Sequence, residues 1–241
     1  MASPDASPRR SDVTTAGPTF NPCLSIIVPV LNEQATIGPA LDRLAPLRRS
    51  GAQVIVVDGG SRDQTLGLCA DRADLILHAP QGRASQQNAG ARAASATTLL
   101  FLHADTALPV DALALILECG REWGRFDVAI SGRSPMFPVI SACMNLRSRW
   151  VGIATGDQAI FVRRDVFEAV RGFPDQAFME DIELSKRLRS RGRPACLRAK
   201  VTTSGRRWER YGVAQTIVLM WRLRLLYWLG VSAERLAKWY R

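Results

Sequence analysis

Leu24-Ser-Ile-Ile-Val-Pro-Val30 and Gln53-Val-Ile-Val-Val-Asp58 are the two stretches that decide the fold. Each is a short, β-branched apolar run without the alternation of a half-exposed strand, the pattern of strands buried on both faces of a parallel sheet. Between them a helix is expected, with Asn32 as its N-cap, Glu33 in its first turn and Pro39 near its start. Gly59-Gly60 makes the turn after the second run, and Ser61 with Gln64 has capping-box spacing for the next helix. Outward from this pair the alternation continues. Asp74 to His78 reads as a third strand and Ala84 to Ser95 as a helix. Thr98 to His103 reads as a fourth strand leading into Ala104-Asp105, and Val110 to Trp123 as a helix. Strands alternating with helices imply right-handed βαβ units and a Rossmann-like α/β architecture, a mostly parallel sheet flanked by helices.

The second half is more mixed. Phe126 to Gly132 reads as a strand, Val139 to Trp150 as a helix and Gln158 to Arg163 as a strand. Phe178-Met-Glu-Asp181 opens an Arg-rich helix that stops at Gly192, and Arg193 to Thr202 is the last strand. The expected organisation is a disordered, Ser-, Pro-, Asp- and Arg-rich tail over 1–22 and one domain over 23–210. That domain divides into a nucleotide-binding half (about 24–123) and a second half (about 124–210). A C-terminal amphipathic helical segment, 211–241, follows.

The composition narrows the choices. The 241 residues suit one large α/β domain, and their formal charge of +10 comes from 32 basic and 22 acidic residues. Such an excess is compatible with nucleic acid, an anionic membrane or a phosphate-bearing small molecule. Five cysteines without C-x-x-C spacing argue against a disulfide framework or zinc ribbon and for a reducing, cytoplasmic setting. The N-terminal stretch has no apolar core of a secretory signal. The longest apolar candidate, Val213 to Val231, is broken by Gln215, Arg222 and Arg224, so no transmembrane helix is expected.

In an open parallel sheet, ligands bind beyond the carboxyl ends of the strands. Asn32 and Glu33 follow the first strand, Asp58 ends the second, Arg83 opens the helix after the third, and Asp105 follows the fourth. Neither a G-x-G-x-x-G nor a P-loop is present, which excludes the usual dinucleotide oxidoreductases and P-loop NTPases. Phosphates must then be held another way, and a divalent cation on Asp105 helped by Arg83 would serve. Local alternatives stand beside each residue. Asp58 before Gly-Gly-Ser also reads as a turn former, Asp105 as a helix cap, and His103 as a satisfied strand-end histidine. Glu180-Asp181 also reads as an acidic first turn stabilised by the helix dipole.

Together these segments resemble the family 2 glycosyltransferases, inverting enzymes of the GT-A fold. The resemblance spans about Leu24 to Trp208. In the first half it rests on Ser25-Ile-Ile-Val-Pro-Val-Leu-Asn-Glu33, Val56-Val-Asp-Gly-Gly-Ser-Arg-Asp-Gln-Thr65, Asn88-Ala-Gly90 and Phe101-Leu-His-Ala-Asp105. In the second half it rests on Gly156-Asp-Gln158 and Met179-Glu-Asp181. The chain is also similar to a small bacterial subgroup whose genes lie near those of radical enzymes and of selenium or arsenic chemistry.

The resemblance implies transfer of a sugar from a nucleotide-sugar, a UDP-sugar above all, to a small-molecule or lipid acceptor. Pro29, Asn32, Glu33 and Asp58 would hold the nucleoside, with Asp58 accepting from a uracil-type ring N–H. Arg83 would touch base or diphosphate. Asp105 matches the last Asp of the D-x-D element and would bind Mn²⁺ or Mg²⁺. His103 stands where many members have Asp. Asp181 matches the general base, with Glu180 beside it. Gly156, Asp157 and Gln158 would form an acceptor-side loop, in which Asp157 either holds an acceptor hydroxyl or structures the loop. Arg207-Trp208 resembles the end of the Q-x-x-R-W acceptor motif, with Ser204 in place of Gln; Trp208 either lines the acceptor side or is a buried tryptophan.

The tail mixes Trp221, Tyr227, Trp228, Trp239 and Tyr240 with cations. It reads as an interfacial helix on the inner face of a membrane, or as a helix packed on the domain or a dimer partner. Two other function classes fit less well. A nucleotidyltransferase would need a Gly- and Arg-rich triphosphate loop where Pro29-Val-Leu-Asn-Glu33 stands. A nucleic-acid-binding protein would use the charge but not aspartates aimed at one sheet edge, so no nucleic acid is expected.

Overall fold

The computed structural model describes residues 22–240. The tail expected over 1–22 lies outside the described residues except for Pro22, which is buried. Four parallel strands, β1 (Leu24–Val30), β2 (Ala52–Asp58), β3 (Leu75–His78) and β4 (Thr98–Phe101), lie in the order β3-β2-β1-β4. Their connections are α1 (Ile37–Arg49), α2 (Thr65–Cys69) and α3 (Arg83–Ala93). Successive β1 residues face opposite layers and both layers are dry. Ile26 and Val28 pack with Leu41 and Leu44 of α1, whereas Ile27 packs with Ala84 and Ala91 of α3. This is the two-sided burial expected from the uninterrupted apolar runs.

The second half extends the sheet with β5 (Thr106–Ala107), β6 (Trp123–Ser131), β7 (Ile160–Arg163) and β8 (Ala195–Ser204). The full order is β3-β2-β1-β4-β7-β6-β8-β5. The β4–β7, β6–β7 and β5–β8 pairs are antiparallel, while β6–β8 is parallel. Around these strands lie α4 (Ala112–Glu118), α5 (Phe137–Val151), α6 (Arg164–Ala169) and α7 (Glu180–Arg189). The chain ends in α8 (Arg206–Tyr211), α9 (Val213–Trp228) and α10 (Ala233–Tyr240).

Several side chains hold the strand ends in place. Gln86 of α3 donates from Nε2 to Val30 O (2.9 Å) and Val57 O (2.7 Å), pinning the carboxyl ends of β1 and β2 together. Two residues on, Asn88 exchanges two hydrogen bonds with the backbone of Phe173. Gly90 lets α3 approach the sheet, since a Cβ there would stand 2.4 Å from Ile27 Cγ2.

The structure corrects four local expectations. Asn32 does not cap a helix: α1 begins at Ile37, and Asn32 takes a left-handed φ of 54°. Its Oδ1 accepts from Arg62 N–H and its own N–H donates to Ser61 Oγ, while Glu33 N–H donates to Thr65 Oγ1. The two loops at the strand ends are thus stitched to each other, which uses the groups a cap would have used. Ser61 and Gln64 form no capping box for the same reason; Asp63 accepts from Thr65 N–H instead. The helix expected over Val110 to Trp123 is only α4, because Gly120 turns left-handed (φ 64°) and Trp123 opens β6 against Val162. Finally, the fourth strand ends at Phe101, not His103, and Asp105 lies in the turn between β4 and β5.

The C-terminal segment is two helices rather than one. Leu223 of α9 and Leu236 of α10 bury themselves against Phe178 and Met179, just before α7.

Candidate functional site

Beyond the carboxyl ends of β1 and β4 lies a cavity of about 720 Å³. Its first wall is built by Pro29 at the end of β1, Leu31 and Glu33 after it, Arg83 and Gln86 of α3, and the His103–Asp105 turn. The facing elements are the 3₁₀ turn Gly156–Gln158, the start of α7, the Arg207-Trp208 pair, and α5, α9 and α10.

Most of the expected site residues converge here. Pro29, Glu33, Arg83, His103 and Asp105 line the cavity from the first half of the chain. Gly156, Asp157, Glu180, Asp181, Arg207 and Trp208 line it from the second. Asn32, Asp58 and Gln158 do not lie on the wall. Gln158 is fully buried and completes a capping box with Thr155, so it shapes the loop that carries Asp157. Asp58, 1% exposed, accepts from the N–H groups of Gly60 and Ser61, with His78 Nδ1 at 3.5 Å. Burial opposes its ionisation, but those bonds outweigh it and hold its carboxyl below the ordinary carboxylate range.

The acidic pair arrives through an unusual backbone turn. Met179, buried and not a turn-former, takes φ 62° and starts α7 so that Glu180 and Asp181 occupy its first turn. Asp181 Oδ2 accepts from Gly156 N–H at 2.8 Å and Oδ1 from Ile182 N–H at 2.7 Å. Glu180 is buried; burial, then repulsion from Asp181, pushes its carboxyl above the usual range, with Arg83 partly offsetting both. Asp157 lies 3.4 Å from His103 Nδ1. Burial resists its ionisation, yet His103, Arg83 and Arg224 together keep it below the ordinary value. Arg83 opens onto the cavity interior while protein surrounds the cavity. Burial therefore disfavours its charge, and Glu180, Tyr240, Asp157 and Asp181 more than restore it.

A cation would find one carboxylate ready. Among the described residues no three His, Cys, Asp or Glu side chains form a cage. Asp105 is a partly exposed carboxylate on the cavity wall, with Arg206 Nη2 4.0 Å away. One or two carboxylates completed by substrate phosphates is how Mg²⁺-type cations are usually held. The residues present therefore fit a cation that arrives with a diphosphate, not a caged one.

Among the wall residues not anticipated as site residues are Arg147 of α5, Arg224 of α9 and Tyr240 of α10. Tyr240 packs on Phe178 with ring centroids 4.5 Å apart, while its ring lies 3.7 Å from the Arg207 guanidinium and its carbonyl accepts from Arg207 Nη2. No motif links these positions; only the packing of α5, α9 and α10 around the cleft brings them in.

Comparison with known proteins follows this geometry. Residues 25–128 match the family model described as Glycosyl transferase family 2. A PGL/p-HBAD biosynthesis glycosyltransferase of Mycobacterium tuberculosis is 32% identical over 157 residues, covering 62% of this chain and 58% of that protein. The chain spans less than two thirds of the length of the curated relatives it matches. Among solved structures, S. aureus TarS 1-349 superposes with a TM-score of 0.62 at 21% identity, covering 76% of this chain and 60% of that one. A mannosyltransferase from Pyrobaculum calidifontis, in complex with GDP-Man and Mn²⁺, gives 0.59 at 22% identity, covering 77% and 57%. The fold is accordingly GT-A.

Proposed function

We propose that this protein is an inverting glycosyltransferase that moves a sugar from a nucleotide-sugar, most simply a UDP-sugar, to an acceptor hydroxyl. The observation that carries this reading is that Asp105, beyond the end of β4, and Asp181, at the start of α7, line one cavity together with Arg83. The family match over residues 25–128 supports it, as do fold neighbours solved with nucleotide-sugars, TarS with UDP-GlcNAc and the mannosyltransferase with GDP-Man.

In this reading the nucleoside lies against Pro29 and Glu33, with Asn32 tying that loop to Ser61 and Arg62 and Asp58 ordering the Gly60–Ser61 turn next to it. Arg83 and the His103 wall face the ribose and diphosphate. Asp105 would hold Mn²⁺ or Mg²⁺, which supplies charge neutralisation for the departing diphosphate. Asp181, fixed by Gly156 N–H, accepts the proton of the acceptor hydroxyl. The acceptor oxygen bonds to the anomeric carbon from the face opposite the diphosphate, whose bond breaks with its electron pair, so the configuration inverts. Glu180 stands beside the base, its carboxyl raised above the usual range by burial and then by the charge of Asp181. Asp157 and Trp208 stand on the acceptor side.

Membrane contact belongs to the same proposal. Val218, Trp221, Leu225 and Trp228 form one outward stripe on α9, each more than half exposed, with the cation Arg222 beside it. Among the described residues no helix is long and apolar enough to cross a membrane. We place the protein peripherally on the cytoplasmic face of one.

The test is thermal stabilisation of the protein by UDP-, GDP-, ADP- and dTDP-sugars, with and without Mn²⁺. A cation-dependent shift confined to one nucleotide class is expected. A folded protein that responds to none of them would overturn the reading.

A further inference from the structure

Two arginines in the cavity have nothing to bind. The Nε and Nη2 of Arg147 and the Nε of Arg224 are buried without a hydrogen-bond partner among the described residues. Buried guanidinium groups are ordinarily neutralised, because leaving one unpaired is expensive. Arg125 of β6, fully buried in the same half of the chain, also leaves its Nε without a partner, but its charge is met by Asp127. Arg147 and Arg224 instead come together from α5 and α9 on the cavity wall. Burial and then the nearby Arg224 push the Arg147 guanidinium down to about 10, with Asp181 pulling the other way. Burial likewise lowers Arg224, again against the attraction of Asp181. An oxyanion between the two would satisfy the idle N–H groups and cancel their repulsion.

The surroundings say which end of the reaction this anion belongs to. The diphosphate end of the proposed site is the first-half wall of Arg83 and Asp105. Arg147 and Arg224 come from second-half helices and both feel the charge of Asp181, the proposed base. The wall around them is apolar: Met136 just before α5, Val139, Ile140 and Cys143 within it, and Ile217 and Trp221 from α9. Trp221 is 73% exposed and Val139 52%, so this wall runs out to the protein surface.

We propose that Arg147 and Arg224 form an anion subsite for the acceptor, and that the acceptor is an amphiphile carrying a phosphate or carboxylate group beside an apolar body. The inference rests on the glycosyltransferase reading of the cavity and adds to it the chemical class of the molecule that receives the sugar. The anion is a handle and the nucleophile remains a hydroxyl facing Asp181.

The experiment titrates the full chain with hexyl phosphate, with hexanol and, separately, with UDP plus Mn²⁺, following tryptophan fluorescence and heat. Hexyl phosphate should bind and hexanol should not. Arg147→Met and Arg224→Met should each weaken hexyl phosphate by about ten-fold or more, the worth of a charge-assisted hydrogen bond, with UDP affinity unchanged. Arg147→Lys and Arg224→Lys should recover part of the loss, which guards against a Met variant that misfolds. Equal binding of hexyl phosphate by wild type and variants would overturn the subsite. Loss of UDP affinity together with hexyl phosphate affinity, in a folded variant, would overturn it too by moving the arginines to the donor. A wild type that binds hexyl phosphate but no nucleotide leaves the subsite standing and removes the transferase reading; the reverse result removes the subsite alone. Vesicles of phosphatidylcholine with and without phosphatidic acid identify the source. Pelleting that needs both arginines assigns a lipid anion, and hexyl phosphate binding without such pelleting assigns a water-soluble one.

Discussion

The backbone N–H of Gly156 donates to Oδ2 of Asp181 at 2.8 Å, tying the 3₁₀ turn to the first turn of α7. A side chain at position 156 would strain this contact by pushing on His103, since its Cβ would stand 2.5 Å from His103 Nε2. Together with the Ile182 N–H on Oδ1, the bond sets which way the carboxylate faces.

Removing the basicity of Asp181 should therefore stop chemistry without emptying the site. Asp181→Asn is expected to lower kcat by about 10²–10⁴-fold while UDP affinity persists. Gly156→Ala should reduce kcat through the same carboxylate and lower the melting temperature. If the steric cause is right, the double variant Gly156→Ala with His103→Ala regains the melting temperature, as calorimetry would show.

Asp105 is the carboxylate that the turn after β4 offers to a cation on the cavity wall. In Asp105→Ala the Mn²⁺-dependent part of UDP stabilisation should vanish, with the cation-free part retained. Mn²⁺ enhancement equal to wild type would place the cation elsewhere.

The acid dependence of stability should carry the mark of Glu180. Its raised native value means that the folded chain holds the proton more tightly than the unfolded chain does. Its contribution is neutral below the ordinary 4.5 and becomes a penalty as pH climbs from there through the raised native value. Glu180→Gln should thus be more stable than wild type at neutral pH and about equal to it near pH 4. A gap that widens on acidification would contradict this.

Asp58 runs the other way. Its lowered native value gives stability that is present above the ordinary 3.8 and is lost as pH falls through the native one. Asp58→Ala strands the N–H groups of Gly60 and Ser61, and should cost about 1–3 kcal/mol in chemical unfolding. The same change should weaken UDP, read by isothermal titration.

The outward stripe of α9 is testable without disturbing the cavity. Leu225 and Trp228 are 56% and 80% exposed. Leu225→Ser with Trp228→Ser should reduce pelleting with anionic vesicles and leave UDP affinity as it was. Unchanged pelleting would exclude this face as the contact.

Much of the fold was legible in the sequence, for local reasons. Apart from Ser25 and Asp58, the buried positions of β1 and β2 are apolar, and the structure buries both faces of each strand. Where local reading failed, another part of the chain had taken the group in question. Asn32 looks like a cap, but its side chain is taken by Arg62 N–H across the loop. The helix over 110–123 loses its end because Trp123 pairs with Val162. The candidate site was legible where each residue follows a strand end, as with Glu33, Arg83 and Asp105.

What the sequence by itself determined is the α/β alternation, and with it the sheet edge on which Pro29, Glu33, Arg83 and Asp105 gather, because hydrophobic period and turn residues are local properties. Only the tertiary structure decided the rest of the site. Met179 has no sequence preference for φ 62°, yet packing of its side chain with Phe178, Leu223 and Leu236 sets the turn that presents Glu180 and Asp181. Arg147, Arg224 and Tyr240 reach the cavity because α5, α9 and α10 close over it. Contacts between distant helices depend on which faces they bury against one another, and no single segment carries that information.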